Sequence, residues 1–166
     1  QGGGWDERLE GVMGSVHYSM TSNWSAYIWW WARRFYSFIG EERNDAHTTP
    51  AGEILKRGWA FSQYSKYIRP GYTRVSTSKG GSVANRDKLL ITAYQGDDNK
   101  LVLVLVNRET SDLDNVTIGL PVIPRSASYT FTSRYSARID RDITLNAQQA
   151  TIDIPARSIS TVVIDY

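Results

Sequence analysis

The most apolar stretch of the sequence is Leu101-Val102-Leu103-Val104-Leu105-Val106, with Lys100 before it and Asn107 after it. Successive side chains of a strand point to opposite faces, so this strand is expected to be buried on both faces and central in its sheet. Leu89–Tyr94 forms a second apolar run. The turn-forming residues Gly96-Asp97-Asp98-Asn99 lie between the two, which reads as a hairpin. Further strands are expected near 72–77, 114–120, 127–133, 142–145, 149–154 and 158–164. Asp87, Asp112, Asp114 and Pro121 punctuate them. Short strands at this spacing predict an antiparallel β-sandwich.

The first part of the chain follows another period. Leu9, Val12, Met13 and Val16 recur at steps of three and four, which predicts a helix over 6–21 with Asp6 able to cap it. Ala51–Ile68 reads as a second helix, with Ile54, Leu55, Trp59, Phe61, Tyr64 and Ile68 as its apolar members. Between them Ser25–Trp31 is aromatic and β-branched enough to read as a strand apolar on both faces. A polar loop follows from about Gly40 to Pro50. Helix, strand, loop and helix form a fragment of a repeating β/α architecture. One strand makes no sheet, so this part is not a finished fold by itself. The turn pair Pro70-Gly71 places the boundary, giving residues 1–71 and 72–166.

Composition sharpens that division. The chain has 166 residues and six tryptophans, at 5, 24, 29, 30, 31 and 59, all before the boundary. It has no cysteine, which excludes disulfides, thiolate metal sites and thiol catalysis. A net charge of +2 supplies no field for nucleic acid. No apolar run approaches the roughly 20 residues of a membrane span. No metal-ligand spacing and no phosphate-cradling glycine loop is present, so no cofactor is expected.

The densest chemical feature is Tyr27-Ile28-Trp29-Trp30-Trp31-Ala32-Arg33-Arg34-Phe35-Tyr36. Such a run serves either as bulky core packing or as a platform for a ligand. Three consecutive tryptophans alternate faces on an extended chain, so at least one turns away from its neighbours. Two arginines follow at the strand's C-terminal end, where β/α barrels build their sites. Aromatic faces stack on sugar rings, and arginine offers a fork matched to a carboxylate. The combination suits an acidic carbohydrate. Glycoside hydrolysis uses two carboxylates flanking the bond, and the strand has none. Glu41 and Glu42 lie in the polar loop. Asp6, Glu7 and Glu10 sit in the first turns of a helix, where solvation and the helix dipole explain them. His17 falls mid-helix and reads as packed. His47 falls in the polar loop and reads as solvated.

Residues 16–36 and 56–72, with Trp-Trp-Trp-Ala-Arg-Arg-Phe-Tyr and Ile-Arg-Pro-Gly-Tyr as their most specific segments, closely resemble glycoside hydrolase family 30 in its glucuronoxylanase branch. Ile91–Tyr94, Leu101–Asn107 and Ile154-Pro155-Ala156-Arg157-Ser158 resemble the family's C-terminal side domain. The resemblance implies a mostly β chain. An antiparallel β-sandwich side domain, residues 72–166, would be preceded by the last helix–strand–helix unit of an incomplete (β/α)8 barrel, residues 1–71. It implies a secreted retaining endo-β-1,4-xylanase acting on glucuronoxylan. Trp30 and Trp31 would line the sugar site, Arg34 would pair with the glucuronate carboxylate and Tyr36 would donate a hydrogen bond to it. The family's acid/base and nucleophile glutamates are expected upstream of Gln1, so no residue here is assigned to catalysis. This chain alone is expected to be inactive, with the N-terminal barrel portion of the same enzyme as its partner. A serine that helps hold the glucuronate is expected where Gly2–Gly4 stand.

A second reading is a non-catalytic carbohydrate-binding module on the sandwich. It requires an exposed row of aromatics, for which Tyr94, Tyr129, Phe131 and Tyr135 are the candidates. A third is a bracing role with no ligand.

Overall fold

The computed structural model describes residues 4–34, 36–42 and 49–166; His47 and the centre of the polar loop lie outside the described residues. A first helical run joins an α-helical turn, α1 (Trp5–Glu7), a π-helical stretch (Arg8–Met13) and α2 (Gly14–Thr21). An extended aromatic segment and a folded loop lead to α3 (Lys56–Ser65). Nine strands follow: β1 (Thr73–Val75), β2 (Leu89–Gln95), β3 (Lys100–Asn107), β4 (Leu113–Gly119), β5 (Ser126–Ser133), β6 (Ile139–Arg141), β7 (Thr144–Asn146), β8 (Gln149–Ile154) and β9 (Ser158–Asp165).

All strand pairs are antiparallel. One sheet runs β1-β2-β3-β9-β5-β6 and the other β4-β8-β7. The expected hairpin joins β2 to β3, with Leu90 opposite Val106 and Tyr94 opposite Val102. The Leu/Val alternation of β3 separates two cores. Leu101, Leu103 and Leu105 face the smaller sheet, packing with Leu113, Val116, Ile152, Tyr129 and Phe131. Val102, Val104 and Val106 face the opposite way, against Trp5, Leu9, Met13, Val16, Ala60 and Tyr64 of the helices. Helices, large sheet and small sheet therefore form three layers. The large sheet is buried on both sides at its centre, which is why β3 carries no polar face.

Three sequence expectations are corrected. Residues 25–31 are extended but belong to no sheet. A strand needs a neighbour for its backbone groups, and no described element lies alongside to supply a ladder. The second helix is Lys56–Ser65 rather than 51–68. Its buried side is Arg57, Ala60, Gln63 and Tyr64, while Ile54 is exposed before its first turn. Asp6 does not cap the first helix; Gly4 occupies that place without a side-chain bond. The short strand β6 had no counterpart among the expected strands.

Candidate functional site

The site grows from the extended segment before α3. Tyr27 and Trp29 point inward, and Ile28 and Trp30 outward, the alternation an extended chain imposes. The inward rings anchor the segment. Trp29 stacks on Phe38 at 5.8 Å, Phe38 lies 4.7 Å from Phe61 of α3, and Tyr27 lies 5.9 Å from Phe61. The Arg57 guanidinium sits 5.1 Å from the Trp29 ring centroid, a cation–π contact on the same anchor.

The chain then folds back on itself. The Arg34 N–H donates to Ile39 O and the Ile39 N–H to Ala32 O, both at 3.0 Å. Leu55 N–H donates to Phe38 O and Gly40 N–H to Glu53 O, each at 2.8 Å, tying the loop to the entry of α3. Gly58 permits this approach. A Cβ there would stand 2.7 Å from Phe38 O, closer than real contacts allow.

The fold brings three of the four expected ligand-binding residues together on the exposed side of this loop. Trp30 is 73% exposed and Trp31 45%, with ring centroids 5.2 Å apart at 79°. The peptide bond between them is cis. The Arg34 guanidinium lies 5.1 Å from the Trp31 ring centroid, and its Nε is 3.6 Å from Glu41 Oε1. Tyr36, half-buried, sits within the turn that Ser37 N–H closes onto Arg34 O. Two open aromatic faces beside a partly exposed guanidinium can stack a sugar ring and hold its carboxylate. Glu41 is the carboxylate placed against that guanidinium. By sequence it is one of two acids in the polar loop, with nothing to mark a partner. An ion pair spanning seven residues of irregular loop has no periodic signature.

Other regions offer less. A cleft of about 810 Å³ opens between the two sheets, lined by residues such as Val75, Ile91, Leu101, Leu103, Val116 and Thr117, with no charged or aromatic side chain in its walls. It has nothing for acid–base work or stacking. Of the four candidate aromatics on the sandwich, Tyr94, Tyr129 and Phe131 are buried and Tyr135 alone is exposed, so they form no open row. His17 is buried and packs edge-on to Tyr18 at 5.4 Å. Burial pushes its imidazole below the usual histidine range, with Arg108 and Arg74 adding to the effect. Among the described residues no group of metal-type side chains converges, and no helix is long and apolar enough to cross a membrane.

Two joints between helices and sandwich were missed by sequence reasoning. Gln63 is fully buried. Its Nε2 donates to Thr132 Oγ1 and its Oε1 accepts from Thr130 Oγ1, each at 3.0 Å. Asp6 and Glu10, expected to be solvated, instead clamp Arg157 of the β8–β9 turn. Asp6 Oδ1 is 2.9 Å from Arg157 Nε, and Glu10 Oε1 is 2.6 Å from Arg157 Nη1. Arg134 and Arg108 bind the second oxygens at 2.7 and 3.0 Å. The hydrogen bond from Arg157 holds the Asp6 carboxyl below its ordinary value. For the Gln63 joint the signal available was Thr130, Thr132 and Thr161, threonines at the helix-facing positions of β5 and β9.

Comparison with known proteins agrees with this architecture. The model of the glycosyl hydrolase family 30 β-sandwich domain matches residues 71–162, more than half of the chain. The glucuronoxylanase XynC of Bacillus subtilis is 28% identical over 162 residues, covering 96% of this chain and 35% of that protein. The chain thus spans about a third of the length of the curated relatives it matches. A family 30 endoxylanase from Clostridium papyrosolvens C71 superposes with a TM-score of 0.75 at 26% identity, covering 97% of this chain and 39% of that one. A family 30 subfamily 8 xylanase from Clostridium acetobutylicum gives 0.76 at 24% identity, covering 100% and 40%, and supports the fold. A two-sheet antiparallel sandwich with helices on its outer face, matched over most of its strands by that domain's model, identifies the chain as a member of glycoside hydrolase family 30.

Proposed function

We propose that this chain is the C-terminal part of a secreted, retaining endo-β-1,4-xylanase acting on glucuronoxylan, and that it supplies the recognition of the glucuronate branch. Trp30 and Trp31 form the sugar-facing surface, Arg34 pairs with the uronate carboxylate and Tyr36 donates a hydrogen bond to it. The observation that carries this reading is the Arg34 guanidinium held beside the exposed Trp30–Trp31 pair. The naming of the Bacillus relatives as glucuronoxylanases supports the substrate class.

In this reading residues 1–71 belong to a (β/α)8 barrel and residues 72–166 to its side sandwich. The two catalytic carboxylates lie on a portion of the enzyme outside these 166 residues. The complete enzyme works by double displacement through a glycosyl-enzyme intermediate. The exposed faces of Trp24, Ile28, Trp30 and Trp31 are the surfaces that the rest of the barrel and the substrate would cover.

Calorimetric titration with an aldouronic acid, a methylglucuronate-substituted xylooligosaccharide, tests the reading. Binding is expected for the 166-residue chain and lost in Arg34→Ala, with weaker binding of unsubstituted xylooligosaccharide. Binding equal in Arg34→Ala and wild type contradicts it. Oligosaccharide release from glucuronoxylan by the pure chain contradicts the placement of the catalytic pair elsewhere.

A further inference from the structure

We propose that Glu41 is a positioning residue for Arg34: its carboxylate holds the Nε side of the guanidinium and leaves the Nη1–Nη2 edge for the carboxylate of a uronic acid. The inference deepens, and rests on, the reading of Arg34 as the uronate-binding residue.

Arginine presents two forks to a carboxylate, one through Nε and one through the two terminal nitrogens. Glu41 Oε1 stands 3.6 Å from Nε, so the first fork is already faced by an anion. The Trp31 ring lies under the guanidinium at 5.1 Å. The ring restrains the plane and the carboxylate restrains rotation within it. Among the described residues, the terminal edge is what remains open.

Glu41 is itself held in place. Its backbone N–H donates to Thr49 Oγ1, and the same hydroxyl donates to Glu41 O, both at 3.0 Å. The adjoining Gly40 is bonded to Glu53 and to Gly52. The Glu41 side chain is only 18% exposed. It therefore stands on a backbone fixed from both sides of the polar loop.

The pair has a consequence for selectivity. Arg34 meets an incoming uronate already balanced by one negative charge, so the site draws anions weakly through its field alone. Binding then depends on the terminal fork and the tryptophan faces acting together. That arrangement favours a carboxylate attached to a sugar ring over a simple anion.

The test compares the wild-type 166-residue chain with Glu41→Ala and Glu41→Gln by NMR. One readout is solvent exchange of the Arg34 Nε–H, which needs no ligand. The other is titration with an aldouronic acid. The contact at 3.6 Å is an ion pair rather than a hydrogen bond: alanine removes the carboxylate outright, and glutamine keeps its size without its charge. In Glu41→Ala the Nε–H should exchange at least about tenfold faster, and uronate binding should weaken at least about fivefold, as expected when a charge-assisted contact no longer orients the guanidinium. The unfolding midpoint should not move. Glu41→Gln, which lacks the charge, should follow Glu41→Ala in both properties. A wild-type Nε–H exchanging as fast as that of a free arginine overturns the proposal, as does a Glu41→Ala variant that matches wild type in both readouts. A Glu41→Gln variant that matches wild type in both readouts also overturns it. A wild-type chain that binds no uronate overturns the functional reading, while the Nε–H exchange still decides the positioning.

Discussion

Gln63→Ala separates one shared core from two loosely joined parts. Gln63 is 0% exposed and links α3 to β5 through the Thr130 and Thr132 hydroxyls. The remaining contacts of those hydroxyls are long: 3.3 Å to Tyr67 Oη and 3.5 Å to Trp59 O. Two neutral hydrogen bonds lost at about 1 kcal/mol each, with a cavity term for the deleted amide group, give about 2–4 kcal/mol. In a chain of this size each kcal/mol shifts the melting temperature by about 2–4 °C, so a fall of about 4–16 °C is expected. All six tryptophans precede residue 60. Tryptophan fluorescence therefore reports the helical part, and circular dichroism of the sheet reports the sandwich. Both transitions should move together in Gln63→Ala. The triple variant Gln63→Leu, Thr130→Val, Thr132→Val should recover most of the loss, because it removes both partners rather than stranding one. An unchanged midpoint refutes the buried joint. A fluorescence transition that shifts alone refutes the shared core.

Three further outcomes follow from other residues. The His17 imidazole is held below its ordinary value by burial first, then by Arg108 and Arg74; the unfolded chain therefore binds the proton more readily, and stability should be full above the ordinary histidine value of about 6.5 and fall as pH drops below it. That slope should vanish in His17→Leu, and a slope unchanged in the variant contradicts the assignment. Burial pushes the Tyr129 hydroxyl up to about 12, and it donates to Asp153 O at 2.8 Å; Tyr129→Phe should cost about 1–2 kcal/mol in urea unfolding, and a variant as stable as wild type argues against the bond. Gly58→Ala should favour the helix by propensity yet displace Phe38 and weaken uronate binding several-fold, read by calorimetry; unaltered binding shows that the loop does not depend on that close approach.

The sandwich was legible because its pattern is local. The double burial of β3 follows from six consecutive aliphatic residues, and the hairpin from the turn residues between two apolar runs. Residues 25–31 were misread because aromatic content signals an extended chain and says nothing of a neighbour to pair with. Strand β6 is three exposed residues and carries no periodicity. The α3 face escaped because its buried positions include Arg57 and Gln63, whose partners lie on other elements. Asp6 and Glu10 meet Arg157 across about 150 residues, a distance at which composition and spacing give no clue. At the site, the juxtaposition of Trp30, Trp31 and Arg34 was readable from one contiguous segment. The part played by Glu41 was not, since it depends on how the loop turns back.

Chemical-shift mapping of the 166-residue chain with an aldouronic acid tests the proposed glucuronate site most directly. The indole N–H signals of Trp30 and Trp31 and the Arg34 Nε–H should shift together in a saturable titration, with Tyr36 responding and the sheet cleft around Ile91 and Val116 silent. Shifts centred on the cleft or on Tyr135, with the Trp30–Arg34 signals unmoved, would contradict it.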